Sequence, residues 1–533
     1  MSVLAILGAI TALANAPLPM PAFTPPAEAA ATIARLEGRL TLTFGQRPDG
    51  LKRLRDDDPP SGADPRLAWP DLALDLVQDG DRLIPAPANG VDGGYWDWSA
   101  GPGRIWASAE GDVAVLPVAL RERNANCVHN GLLRVTLTPA GAPRTAQVRL
   151  GAETCLYDKF DAWAAPRTMA FTPGAPPDRD DRVARDRENR AAQLPVRPLS
   201  ELAVRHPGVN LAALARASGD DQAVYGMVVD GVNYAAPCQT RFGEDPFCDG
   251  RVLPSYSTAK SLVGGLGLMR LERQTPGIAR RALTELVPAC APSGGWSGVA
   301  LLDLLDMSSG HYDSAAFEAD ENAAGAFFIT RTHAEKLTYA CRYPRRVAPG
   351  ATWVYRTSDS YLLGTALQAA TSGDLYDTVL RPIWRDLKLS PALDETRRTL
   401  DARGQPFVGW GLFLRRDDVA RLGAFLSPAN AAEQDRLFSP RLIGEALQRP
   451  GLEGGLAAGS ARLRYAHGFW ARDIADLVGC AHPVWTPFLS GYGGISIVLF
   501  PNGDVFYAFG DEAHFDWGPA AGSANAVKAL CHD

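Results

Sequence analysis

Pro254-Ser255-Tyr256-Ser257-Thr258-Ala259-Lys260-Ser261 leads into a stretch where Leu262, Val263, Leu266 and Met269 recur at helical spacing. Gly264, Gly265 and Gly267 leave the stretch apolar nearly all round. The pattern predicts a buried helix that starts close to Ser257. On such a helix Ser257 and Lys260, at i and i+3, share a face and can touch. A serine hydroxyl is a weak nucleophile unless a base takes its proton. A buried lysine can be that base, because desolvation disfavours the ammonium and lowers its pKa. The positive end of the helix favours negative charge developing near Ser257. Of the six lysines, only Lys260 has a serine three residues before it. Taken alone, the pair reads equally well as a helix-capping serine beside a snorkelling lysine.

Two more segments follow in the chain. In Pro349-Gly350-Ala351-Thr352-Trp353-Val354-Tyr355-Arg356-Thr357-Ser358-Asp359-Ser360-Tyr361, a turn precedes a tyrosine and a polar run then opens an apolar helix. Tyr355 is a candidate general base if a neighbouring ammonium lowers its pKa, and Ser358 or Asp359 is a candidate helix cap. Ser490-Gly491-Tyr492-Gly493-Gly494-Ile495-Ser496 then opens a strand. Its glycines either let a backbone N–H approach a substrate as half of an oxyanion hole or form a bulge.

Together these stretches resemble the Ser-x-x-Lys, Tyr-x-Asn and Lys-Thr-Gly/His-x-Gly elements of the serine β-lactamase and penicillin-binding-protein superfamily. The likeness is greatest to its class C-like branch of esterases, D-amino-acid peptidases and 6-aminohexanoate-dimer hydrolases. Leu301-Leu302-Asp303-Leu304-Leu305-Asp306-Met307-Ser308-Ser309-Gly310-His311 is similar to that branch's LLxMxSG segment. Gly411 to Gly423 is similar to its GLxxTxxDxARxG helix start. The resemblance covers roughly residues 200–533 and implies an α+β, transpeptidase-like fold, an antiparallel sheet flanked by helices. It implies Ser257 as acylated nucleophile, Lys260 as its proton partner and Tyr355 as base or proton shuttle. The N–H groups of Ser257 and Ile495 would form the oxyanion hole, and Tyr492, Gly493, Gly494 and Thr357 would contact substrate. Thr357 stands where β-lactamases usually have Asn, and Tyr492 where they have Lys or His. Losing that cation disfavours β-lactams and points to ester or amide substrates.

Outward from this core, Met1 to Ala16 reads as a secretory signal, with Val3 to Leu13 too short to span a bilayer. The alternative is a buried or membrane-proximal segment. Eight cysteines without Cys-x-x-Cys spacing fit disulfides in an oxidising compartment. Pairing sequence neighbours gives Cys127–Cys155, Cys238–Cys248, Cys290–Cys341 and Cys480–Cys531. Residues 17–31 are Pro/Ala-rich and read as a flexible lead. Residues 32–172 carry short alternating runs and read as a β-sandwich-like domain. Its Tyr95, Trp96, Trp98 and Trp106 suit a core better than a carbohydrate platform. Residues 173–199, rich in mixed charge, read as a linker or solvated helix, and 200–533 as the catalytic domain.

A net charge of −7 without a basic run argues against nucleic acid or an anionic membrane as partner. No later stretch is apolar enough to span a membrane. His311, His467, His482 and His514 lack metal-ligand spacing, and neither His-Glu-x-x-His nor Gly-x-Ser-x-Gly occurs. No metal or organic cofactor is implied. The sequence therefore predicts a periplasmic or secreted serine hydrolase of small-molecule or oligomeric esters or amides. The rival readings are a β-lactamase or D,D-carboxypeptidase, and a catalytically silent binding or sensor protein on the same fold.

Overall fold

The alternating runs of the N-terminal third form strands because every second side chain is apolar: Leu40 and Leu42 are buried while Arg39 is exposed. The computed structural model describes residues 16–531 except 28–34, 46, 58, 60–61, 87–93, 110, 152–154, 220–222, 294 and 511. The proposed signal segment, apart from Ala16, lies outside the described residues. The chain divides into two compact units. The first runs to Arg123 and includes Cys127–Ala191 and Pro237–Val252; the second holds Asn124–Asn126, Ala192–Ala236 and the chain from Leu253 onward.

The first unit is one continuous antiparallel sheet of eleven strands between Gly38 and Pro173. Leu40, Leu74, Trp96, Trp98, Leu116, Leu133 and Phe160, from six of these strands, meet in a single core. The Trp96 and Trp98 indoles donate to the Arg66 and Pro70 carbonyls at 2.7 and 2.8 Å, so both are core residues with their one polar atom satisfied. Two boundary expectations change. The described part of the 17–31 lead is tied down: Phe23 is buried among Trp106, Val113, Val115 and Leu132, and Gln147 and Arg149 bond the backbone of Leu18. Within 173–199, helix Arg179–Ala192 is part of this unit rather than a linker. Val183 packs on Val77 and Ile84, and Arg82 pairs with Asp186 at 2.7 Å.

The second unit is α+β. Nine strands cross its sheet in the order Val196–Pro198, Val232–Ala235, Val224–Val229, Val505–Phe509, Ile495–Leu499, Trp485–Gly491, Phe469–Asp473, Leu463–Ala466 and Leu456–Ala457. All neighbours are antiparallel except the first pair. Phe506 and Val498 pack with helices Leu211–Ser218 and Pro519–Val527. Val505, one residue along and so on the opposite face, meets Gly423 of helix Arg416–Leu426. The four cysteine pairs join as sequence neighbours. Among the described residues, no helix is long and apolar enough to cross a membrane.

Candidate active site

Ser257 is placed by a short ladder and a strained residue. Leu253–Pro254 pairs with Phe413–Leu414, and Ser255 exchanges hydrogen bonds with Leu412 through its N–H (3.0 Å) and its hydroxyl (3.1 Å). Tyr256 adopts φ 40°, a left-handed conformation costly for a bulky residue, and the chain turns there into the helix. Asn126 braces the same ladder: its amide donates to Leu412 O at 3.1 Å and accepts from Gly411 N at 2.7 Å. No local signal in the sequence marks this residue.

The predicted helix is present, but Lys260–Gly265 is π-helical before Leu266–Gln274 continues as α-helix. Such widened turns occur chiefly where a helix yields to a functional constraint. Here the hairpin turn at His467-Gly468 presses on it. Ser261 Oγ donates to Gly468 O at 2.6 Å, and Gly468, at φ 87°, comes so close that a Cβ would sit 2.8 Å from Lys260 O. Only glycine combines that φ with that approach.

Lys260 is fully buried, with its ammonium 2.8 Å from Ser257 Oγ, 2.8 Å from Thr357 Oγ1 and 3.5 Å from Gly409 O. Burial pulls its pKa down to about 8, against the opposing charges of Glu321 and Glu318. Its Nζ lies 4.8 Å from the centre of the Tyr355 ring, and the Tyr355 hydroxyl is hydrogen-bonded to Ser257. Three of the residues singled out in the sequence therefore converge on one point. The expected ionisation of Tyr355 is corrected, however. Burial, helped by the charge of Glu321, drives its pKa well above that of a free phenol, so it rests as a proton donor and not as a phenolate base.

The extended segment leading to Tyr355 lies along Met307, whose carbonyl accepts from Val354 N at 2.7 Å. This explains the Leu301–His311 motif as a support for the tyrosine. Below it, Arg356 and Asp359 form a buried ion pair, and Ser309 Oγ donates to Asp359 at 2.8 Å. Burial pushes Asp359 up to about 6 against the pull of Arg356. Neither Ser358 nor Asp359 caps helix Thr357–Ala370. The cap is Glu321, which accepts from Thr357 N at 2.7 Å and from the Thr357 hydroxyl. Glu321 was not legible in the sequence: it lies far from both motifs, in a four-residue helix, Ala319–Asn322, whose loop Asp320 pins by accepting from Asp313 N and Ser314 N. Thr357, expected to touch substrate, has its hydroxyl engaged by Lys260 and Glu321 instead.

His467 anchors the turn that presses on Lys260. Its ring nitrogens lie 2.9 Å from Asp306 and 2.7 Å from Glu445. Burial depresses the imidazolium, but the two carboxylates outweigh it and raise its pKa from 6.5 to about 9. A pKa raised on folding gives stability that is complete below pH 6.5 and is lost as pH rises through about 9. The expected contribution is on the order of 3 kcal/mol. Melting curves from pH 6 to 9.5 should show wild type losing stability relative to His467→Gln across that window; parallel curves would refute it.

The glycine-rich segment needs revision. Tyr492, Gly493 and Gly494 form the turn between Trp485–Gly491 and Ile495–Leu499. Tyr492 is 45% exposed, its ring 5.6 Å from Tyr256. Gly493 O accepts from Ala513 N, and any Cβ on Gly494 would collide with the His514 carbonyl, so these glycines seat a neighbouring segment. Ile495 is paired with Gly491 on a strand flanked on both sides in the sheet. By contrast, Phe469–Asp473 pairs with Trp485–Gly491 only as far as Phe488, leaving the outer edge at Leu489–Gly491 without a strand partner. A Cβ on Gly491 would lie 2.8 Å from Ser255 O. That edge therefore runs close to the backbone that carries Ser257.

The Beta-lactamase family model matches residues 172–509, well over half of the chain. The chain belongs to the Beta-lactamase family. No curated protein sequence matches it significantly. Among solved structures it is similar to EstCE1, described as a hydrolase with promiscuous acyltransferase activity (TM-score 0.45, 15% identity, 65% of this chain and 99% of that one). It is also similar to a candidate 6-aminohexanoate-dimer hydrolase from Bacillus anthracis (0.44, 15%, 60% and 80%) and to a D-stereospecific amidohydrolase from Streptomyces sp. (0.42, 17%, 60% and 98%). These likenesses are of partial architecture, so the function of this Beta-lactamase family member has to be argued from its own residues.

Proposed function

We propose that the protein is an exported serine hydrolase that cleaves an ester or amide through an acyl-enzyme on Ser257. The observation that carries this reading is the 2.8 Å contact between Ser257 Oγ and Lys260 Nζ, with the lysine buried and held at about 8. In its neutral form Lys260 takes the Ser257 proton as the oxygen attacks the substrate carbonyl. Tyr355, which stays protonated, gives its proton to the leaving oxygen or nitrogen and is reprotonated through Lys260. Water then attacks the ester by the reverse route. The Ser257 N–H and an N–H from the Leu489–Gly491 edge receive the oxyanion. Buried Trp353 and exposed Phe317, with ring centres 5.9 Å apart, extend an aromatic wall outward from Tyr355 and suit an apolar acyl or leaving group. Four disulfides and the signal-like segment support export.

Incubation with a fluorophosphonate followed by intact-mass and peptide mapping should show one adduct, on Ser257. Absence of an adduct together with no p-nitrophenyl ester turnover would favour a silent binding protein. Labelling by a fluorescent penicillin would move the reading to a β-lactamase or D,D-peptidase. If Lys260 must be neutral, kcat/KM should rise about tenfold per pH unit below an apparent pKa near 8 and then level off. A profile flat from pH 6 to 9 would exclude Lys260 as the base.

A further inference from the structure

Thr357 presents a problem of hydrogen-bond direction. Its hydroxyl carries one proton and lies between Lys260 Nζ, at 2.8 Å, and the Glu321 carboxylate. A threonine in this position can harm a lysine base: by donating to the neutral amine it would occupy the one lone pair needed to accept the Ser257 proton. An asparagine, the usual residue here in the β-lactamases this chain resembles, presents a carbonyl that only accepts.

Glu321 removes the ambiguity. A carboxylate only accepts, and this one holds Thr357 by two points, the backbone N–H at 2.7 Å and the hydroxyl. The Thr357 proton is therefore directed to Glu321, and Oγ1 is left to accept from Lys260. Gly409 O, at 3.5 Å, is also an acceptor. With two directions around Nζ facing acceptors, the lone pair of the neutral amine is left for Ser257. Asp320 pins the loop that carries Glu321, which keeps the grip in register.

We infer that Glu321 is a positioning residue that forces Thr357 to act as an acceptor toward Lys260, so that Glu321 and Thr357 together replace the asparagine amide. The inference rests on the proposed roles of Ser257 and Lys260. Glutamine at 321 is the informative change: its NH2 can donate to Thr357 Oγ1, freeing the hydroxyl to donate to the lysine. Removing the carboxylate charge also disfavours the ammonium, so the pH at which Lys260 becomes neutral should fall.

The test compares p-nitrophenyl ester hydrolysis and the pH dependence of fluorophosphonate labelling in wild type, Glu321→Gln, Thr357→Asn and the double variant. Glu321→Gln should lower kcat at least about tenfold with KM within about twofold, and shift the acidic limb of the labelling profile to lower pH. In the Thr357→Asn background the same change should cost less than about threefold, because the asparagine NH2 can donate to the carbonyl of glutamine as well as to the carboxylate, which keeps its own carbonyl toward Lys260. Thr357→Val gives a second check if Glu321→Gln folds poorly: it should lose activity, and adding Glu321→Gln should cost little more. An equal loss from Glu321→Gln in both backgrounds, an unmoved acidic limb, or an effect confined to KM would overturn the inference while leaving Ser257 labelled. Failure of wild type to label would instead overturn the underlying reading, and this inference with it.

Discussion

Replacing Ser257 with alanine should lower ester turnover by about 10⁴-fold or more and abolish fluorophosphonate labelling, with little change in melting temperature. The loss should be nearly complete because the neighbouring hydroxyls are engaged elsewhere: that of Thr357, also 2.8 Å from Lys260 Nζ, donates to Glu321. Ser255, two residues earlier, has its hydroxyl and N–H engaged by Leu412, and the Ser261 hydroxyl donates to Gly468 O. Neither is beside Lys260 Nζ. Stability should hold, since the Ser257 hydroxyl bonds only groups that keep other partners or face the site. Lys260→Met should cost on the order of 10²–10⁴-fold in turnover while leaving Ser257 present, so the residual labelling rate separates loss of the base from loss of the nucleophile. Turnover surviving in Ser257→Ala would place the chemistry elsewhere.

The second large effect is on stability. Asp359→Asn should destabilise the second unit by about 3–5 kcal/mol, because it removes one partner of a buried ion pair and leaves a guanidinium in the interior. The site offers few alternatives. Among the described residues, Arg356 Nε and Nη1 already lack hydrogen-bond partners, and Nη2 retains only Ser309 Oγ at 3.2 Å. The Tyr343 ring, 4.2 Å from the guanidinium carbon, gives partial compensation. Replacing both residues with apolar ones, as in Arg356→Met/Asp359→Leu, should cost less than Asp359→Asn alone, since no charge is then stranded. Calorimetry of wild type and the two variants decides this: a double variant at least as damaged as the single would mean that shape, not charge, holds the segment. Because Arg356 sits between Tyr355 and Thr357, Asp359→Asn should also reduce activity below its melting range.

Much of the candidate site was legible because it is local. Ser257 and Lys260 lie within one helical turn, and Tyr355 precedes Thr357 by two residues, so spacing alone predicts which side chains share a neighbourhood. The antiparallel pairing of Ile495–Leu499 with Val505–Phe509 is equally local, since turn residues Pro501-Asn502-Gly503-Asp504 lie between two apolar runs. What failed was the step from a glycine pattern to a role. Gly493 and Gly494 look alike whether they admit a substrate or the backbone of Ala513 and His514, and only the pairing register put Ile495 on an interior strand. Of the two readings of residues 173–199, linker or solvated helix, a helix forms at Arg179–Ala192, and its charges concealed Val183 and Asp186, which the first unit buries.

By itself the sequence determined the family, the α+β class of the second unit, the sheet-rich N-terminal region and the grouping of Ser257 with Lys260, since each follows from periodicity or short spacing. The tertiary structure decided everything that depends on direction and surroundings. Burial set Lys260 near 8 and kept Tyr355 protonated, which favours a proton shuttle over a base for the tyrosine. The turn at Gly468, far along the chain, meets the π-helical turn that carries Lys260. Glu321, from a loop with no motif, gave Thr357 its hydrogen-bond direction. A pKa depends on desolvation and nearby charge, and a hydroxyl's direction depends on its acceptors. Both are supplied here by residues distant in the chain, which spacing along the sequence does not encode.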